Sequence, residues 1–189
     1  MPYAVQVKGV GVGAHGIRSE KDYPEIYSYA CSVQCGDHTS IACMPLDDSR
    51  SEHIRIFDDS GVICFFNTFG LPRALVFDFY KAVTGIELTK EEWVNTKAMK
   101  IIQLQRAMLL LGGPDLRWNP EIHDDNPPRF YEPLPSGPFK GKAVERARVD
   151  EEKRKYYELV GWDERGIPKS EVLRRLGLDD VDKALEKLR

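Results

Sequence analysis

Three groups of residues bring reactive side chains to short spacing. Cys31-x3-Cys35 lies three residues ahead of His38, and thiolates with an imidazole are ligand types for zinc or iron. The paired Cys-x2-Cys motifs of structural zinc sites are missing, and free cysteine is often buried. Cys31, Cys35 and Cys43 are therefore read first as small packing residues. Asp37-His38-Thr39-Ser40 sets a carboxylate, an imidazole and two hydroxyls side by side. Histidine is the usual acid or base near neutral pH; the plainer reading is a capped turn. In Asp58-Asp59-Ser60-Gly61-Val62-Ile63-Cys64 a carboxylate precedes a cysteine by five residues. Asp59 could accept hydrogen bonds from the ring nitrogens of a ligand, and the Cys64 thiolate could bind iron. One cysteine does not hold an iron–sulfur cluster, which takes about four ligands. Taken alone, the motif reads as a helix N-cap followed by a core cysteine. Lys8-Gly9-Val10-Gly11-Val12-Gly13 lacks Walker A spacing, which argues against a nucleotide site.

Four stretches must position these groups. In residues 1–45, Val5-Gln6-Val7-Lys8 alternates like a short strand, Gly9, Gly11, Gly13 and Gly16 argue against a helix, and Pro24 could open one over 24–31. In 46–112, Asp58-Asp59-Ser60-Gly61 reads as cap and turn residues before an apolar run, Val62 to Phe66. Arg73 to Thr84 fits a helix ended by Gly85. Thr89-Lys90-Glu91-Glu92 is a capping box. Behind it Val94, Ala98, Ile101, Leu104, Met108 and Leu111 recur every three or four residues, predicting one buried face before Gly112-Gly113-Pro114 stops the helix. Seven of the 12 prolines fall between Pro114 and Pro138, so 112–143 reads as an extended strap over the surface. Residues 144–189 are charged and helical, with helices predicted over 149–160, 168–176 and 180–188.

The 189 residues are 42% hydrophobic and 30% charged, in the range of a globular chain. A net charge of −3 argues against nucleic acid or an anionic membrane as a partner. No apolar run reaches the roughly 18 residues of a membrane span, and the first residues lack the pattern of a secretory signal. The four cysteines form no secreted disulfide framework and are read as reduced cytosolic thiols.

Larger patterns fit one family. Val5-Gln6-Val7-Lys8-Gly9, the stretch from Tyr29-Ala30 to Gly36-Asp37-His38, and Asp59-x4-Cys64-x4-Phe69-Gly70-Leu71 resemble the C-terminal domain of the aldehyde:ferredoxin oxidoreductase family. So do Val83-Thr84-Gly85-Ile86-Glu87-Leu88-Thr89, Pro128-Arg129-Phe130, Glu132-Pro133-Leu134-Pro135-Ser136-Gly137-Pro138-x2-Gly141, Tyr156-Tyr157-Glu158-Leu159-x-Gly161-Trp162-Asp163, Gly166-Ile167-Pro168 and Leu176-Gly177-Leu178. The match is collinear over nearly the whole chain.

The resemblance implies a mainly helical, all-α domain over residues 1–189, with an irregular proline-rich strap, short strands at most and a charged helical subregion at 144–189. It implies part of a longer cytoplasmic, anaerobic enzyme with a tungsten or molybdenum held by two pterins (tungstopterin or molybdopterin) beside a [4Fe–4S] cluster. His38 matches a histidine close to the metal, a candidate proton relay. Asp59 matches an aspartate that bonds the pterin, and Cys64 matches the fourth cluster ligand, so the three are expected to share one pocket. The partners implied are the remaining domains of the same enzyme, ferredoxin or another electron carrier, a small aldehyde or acyl-CoA substrate, and a possible second copy of the chain. Alone, the 189 residues would lack the cofactors and be inactive. Gly13-Ala14-His15-Gly16-Ile17-Arg18-Ser19 lacks the proline–arginine–glycine pattern of the aldehyde enzymes, and Cys31-Ser32-Val33-Gln34-Cys35 replaces their usual run before the histidine. The tungsten subunit of a class II benzoyl-coenzyme A reductase is therefore the alternative within the family. A non-catalytic helical module that has lost the cofactor is the alternative outside it.

Overall fold

Lys8 and Gly9 both lie at positive φ, 51° and 82°, the backbone of a two-residue hairpin loop. They join β1 (Gln6–Val7) to β2 (Val10–Gly11), antiparallel, with Val7 opposite Val10. The computed structural model describes residues 4–12, 29–36, 51–112 and 117–189. Apart from this ribbon these residues are mainly helical, as the resemblance implies. The helix predicted from Pro24 lies mostly outside the described residues; where they resume, 29–36 is a string of turns.

α1 (Ser51–Ser60) is a helix that the sequence reading did not predict. Ile54, Ile56 and Phe57 are buried, but so are Glu52, His53, Arg55 and Asp58. A helix enclosed with its charges shows no apolar stripe, so the amphipathic signal is missing. Asp58-Asp59-Ser60 therefore ends a helix and does not begin one. A short α2 (Phe65–Thr68) follows, then α3 (Arg73–Thr84), closed as predicted by Gly85, whose N–H donates to Lys81 O at φ 72°.

The Thr89 Oγ1 accepts from the Glu92 N–H at 3.0 Å. That cap starts α4 (Lys90–Glu92), which runs through a π-helical turn (Trp93–Lys97) into α5 (Ala98–Leu111). The buried face differs from the predicted one. Val94 and Ala98 are buried, but Ile102, Gln103, Arg106, Ala107 and Leu110 then take the core side, while Leu104 and Met108 are exposed. The wide π turn adds backbone without advancing the face, and two of the inward residues are polar, so a count of apolar residues follows the wrong flank.

Residues 117–143 are irregular apart from α6 (Pro120–His123) and a 3₁₀ turn (Pro128–Tyr131). They do more than wrap the surface, because Asp124, Asn126 and Phe130 are buried. α7 (Arg146–Val160) ends at Gly161, φ 75°. α8 (Ser170–Arg175) starts after Pro168, which instead bridges to Trp162. α9 (Asp179–Leu185) and a final 3₁₀ turn (Glu186–Leu188) complete the charged region.

Two apolar clusters form the core. One joins α1, α3, the π turn, α5 and α7, with Phe57 stacked on Phe77 at 4.4 Å and edge-on to Trp93 at 5.0 Å. The other gathers Ala107, Leu110, Ile167, Leu173 and Leu185. Each large side chain buried there contributes about 1.5–3 kcal/mol. α5 supplies both clusters, and its polar residues tie it to the segments around it. Gln103 Nε2 donates to Val160 O at 2.7 Å and Gln103 Oε1 accepts from Trp162 Nε1 at 2.9 Å. Arg106 Nε donates to Gly166 O, and its two terminal nitrogens grip Asp124 at 3.0 and 2.6 Å. Lys8 Nζ reaches the same carboxylate at 2.9 Å, and the Tyr157 hydroxyl donates to it at 2.5 Å.

Candidate functional site

The C-terminus of α1 builds the frame around Asp59 and Cys64. Asp58 is fully buried and receives both terminal nitrogens of Arg73, at 2.6 and 2.8 Å, and Arg55 NH1 at 3.1 Å. This bidentate pair fixes α3 against α1. The chain then folds back on the helix end. Phe57 O, Asp59 O and Asp58 O accept from the N–H groups of Gly61, Val62 and Ile63 at 2.9, 3.2 and 2.8 Å. Val62 is the residue that makes this reversal, at φ 55° with 93% of its surface exposed. A β-branched side chain in the left-handed region is strained, and such strain concentrates at functional sites.

Cys64 comes next, in an extended conformation at the N-cap position of α2. Its thiol is exposed, which overturns the reading of a core cysteine. The turn places it at the surface because its neighbours are held on either side. Ile63 is bonded to Asp58, and the Phe65 ring lies 3.4 Å from the Arg55 guanidinium carbon. Burial lowers the Arg55 pKa, and the Asp58 carboxylate opposes that shift. Around Cys64 the surface is apolar: Phe66 and Phe69 are 71% and 73% exposed.

Asp59 is exposed in the last turn of α1 and accepts from Gln34 Nε2 at 2.8 Å. Gln34 belongs to the turn segment 29–36, which the hairpin anchors: Lys8 Nζ donates to Ala30 O and Ser32 O at 2.5 and 3.3 Å. Cys31 and Cys35 are buried in this segment, as packing residues should be. Burial pushes the Cys35 thiol up, with Lys8 opposing, the opposite of an activated thiolate. Beneath them Glu52 accepts from Ser32 Oγ at 3.0 Å and from the Tyr156 hydroxyl at 2.5 Å. Burial raises the Glu52 pKa against these two bonds and Lys8.

Asp59 and Cys64 thus stand at the two ends of one backbone reversal. His38 and Cys43 lie outside the described residues, so the placement of His38 beside them stays an expectation. Among the described residues no three His, Cys, Asp or Glu side chains gather to hold a metal ion; Cys64 would need ligands from elsewhere. Gln34, Glu52 and the Lys8–Asp124–Arg106 group were missed in the sequence reading. For Arg106 a signal existed: one arginine inside a long apolar helix, where an interior charge calls for a buried partner.

The family profile described as aldehyde ferredoxin oxidoreductase, domains 2 & 3, matches residues 1–178. An aliphatic sulfonate oxidoreductase, WOR-like subunit, from Pyrococcus furiosus is 51% identical over 99% of this chain and 30% of its own length. Tungsten-containing aldehyde ferredoxin oxidoreductases from Pyrococcus furiosus and Pyrococcus horikoshii are 31% and 30% identical over 93% and 94% of the chain, each over 27% of its own length. The chain therefore spans less than a third of the length of these relatives. Matched by that profile almost end to end, this chain belongs to the aldehyde ferredoxin oxidoreductase family, in the part that forms domains 2 and 3.

Proposed function

We propose that the intact protein is a tungsten- or molybdenum-pterin oxidoreductase, and that this chain supplies one iron–sulfur ligand, Cys64, and one pterin-facing carboxylate, Asp59. The single observation that supports it most is the exposed Cys64 thiol on a strained, pinned turn within an apolar surface. The donor set fits the groups. A thiol is the ligand an iron–sulfur cluster takes, and a carboxylate accepts from the ring N–H groups of a pterin. When bound, these groups supply the two-electron chemistry and the single-electron exit, and the protein orients them. Gly61 to Ile63, bonded back to α1, hold the Cys64 thiol outward. His38, in this reading, holds or moves a proton near the metal.

The substrate reading has two arms. Oxidation of an aldehyde to a carboxylic acid, with electrons passed through the cluster to ferredoxin, is supported by the relatives at 31% and 30% identity. An aliphatic sulfonate as substrate, in an assembly with a second kind of subunit, is supported by the relative at 51% identity, and this arm has the greater similarity behind it. The test is anaerobic purification of the full-length protein, with tungsten, molybdenum and iron analysis, followed by assays with aldehydes and aliphatic sulfonates against ferredoxin. Bound metal with turnover of either substrate supports the reading. A full-length protein with neither metal nor pterin rejects it in favour of a non-catalytic module.

A further inference from the structure

The amide of Gln34 makes one bond to Asp59 and leaves the other half of itself bare. Its Nε2 donates to Asp59 Oδ2 at 2.8 Å across 25 residues of sequence. A carboxylate only accepts, so the amide must present its NH2 there, and Oε1 is the atom turned away. Oε1 is buried and has no hydrogen-bond partner among the described residues. Buried polar atoms are nearly always paired, so an amide that leaves Oε1 unpaired while keeping its bond to Asp59 marks that bond as the one the segment is built to make.

Gln34 is also held in place. Its backbone N–H donates to Ser32 Oγ at 3.2 Å, and Ser32 Oγ donates to the buried Glu52 at 3.0 Å. The next residue, Cys35, closes the turn onto Ser32 O at 3.3 Å with φ 62°. Gly36 then passes so close to β2 that a Cβ there would stand 2.1 Å from Val10 O. The amide is therefore presented from a rigid segment, as a preorganised site requires.

We propose that Gln34 is a positioning residue for pterin binding: its Nε2–H bond to Asp59 fixes the carboxylate in the orientation that accepts from the pterin ring. The proposal rests on the reading that Asp59 faces the pterin. A carboxylate held in one orientation selects a ring edge that carries N–H donors, as the 2-amino-pyrimidinone half of a pterin does. It disfavours an edge of acceptors, and an anion such as phosphate would be repelled by Asp59.

The experiment uses the full-length protein expressed without oxygen and with tungstate. Pterin, read as the fluorescence of its oxidised product, and tungsten are measured per folded polypeptide as the protein is diluted and incubated. Gln34→Leu should speed pterin loss about tenfold, the effect of removing one hydrogen bond to a charged group. Combined with Asp59→Ala, it should add much less than it does alone, because it acts through Asp59. Gln34→Glu keeps the size of the side chain but sets two carboxylates against each other, and should lose pterin at least as fast. Pterin retention like that of the parent in Gln34→Glu, or full multiplication of the two effects in the double variant, overturns the proposal. Unchanged retention in Asp59→Ala alone overturns the underlying reading of Asp59 instead.

Discussion

Asp124 is one carboxylate facing two cations, Lys8 and Arg106, with no exposure to water. Burial pushes its pKa up, but the two charges, Arg106's hydrogen bonds and that of Tyr157 outweigh this and hold the carboxyl well below the usual carboxylate range. The stabilisation is therefore complete above the unfolded pKa near 3.9 and is lost only as pH falls well below it. Asp124→Ala leaves two buried cations unpaired and should cost about 3–5 kcal/mol in urea unfolding at neutral pH. Glu52 runs the other way. Its raised pKa means that it stabilises fully below the unfolded value near 4.3 and loses this as pH rises through the folded value. Glu52→Gln should flatten that slope and match or exceed the parent's stability at neutral pH, whereas Glu52→Ala should lower it. At the proposed site, Cys64→Ala should strip the cluster signal from the intact enzyme whatever the substrate. His38→Ala should lower turnover by roughly 10²–10⁴-fold with tungsten still bound. Cys64 and Asp59 could be singled out in the sequence because a motif of fixed spacing carries them. Gln34, Glu52 and Asp124 could not, since the side-chain partners of the first two stand 20 or more residues away and those of Asp124 lie on three separate segments.

Helix ends were the most legible elements, and helix faces the least. Gly85, Gly112 and Gly161 each stop a helix at the predicted residue, all at positive φ. Gly161 has a second reason to be glycine: a Cβ would meet Val172 Cγ2 at 2.5 Å. Gly161→Ala should therefore destabilise by about 1–3 kcal/mol, visible as a lowered thermal midpoint. Val62 reverses the argument, because its left-handed backbone carries a branched side chain that packs on little. Val62→Gly relieves that strain, and the isolated chain should gain roughly 0.5–1 kcal/mol in the same measurement. α1 stayed hidden because its buried charges mask its period, and the α5 face was misplaced because the π turn shifts phase and Gln103 and Arg106 point inward.

At the scale of the molecule, apolar side chains lie open from the Cys64 turn through α3 to its end: Phe66, Phe69 and Phe79, with Val83 at 85% exposure. Contiguous exposure of this kind marks a contact surface, and in the proposed enzyme the remaining domains cover it. The isolated 189 residues should therefore self-associate as concentration rises, and Phe66→Ser with Phe69→Ser should reduce that in light scattering. Mainly helical character was legible from the whole sequence; an open, partly apolar face was expected around the site, but the residues that form it were not legible until their neighbours are placed. We read 1–189 as one unit, with 144–189 a subregion, because α5 contributes residues to both clusters and Gln103 and Arg106 tie it to the end of α7 and to Gly166. Tryptophan fluorescence and circular dichroism should then report one coincident urea transition. The Glu52–Tyr156 bond spans 104 residues, and this bears on the order of events at the ribosome. At roughly 5–20 residues per second, Glu52 waits about 5–20 seconds for its partner to be synthesised. Through that interval its carboxyl stands in water, and closure of α7 over it removes that hydration and replaces it with the Tyr156 hydroxyl. The contact between α1 and α7 is therefore closed long after α1 itself has been made.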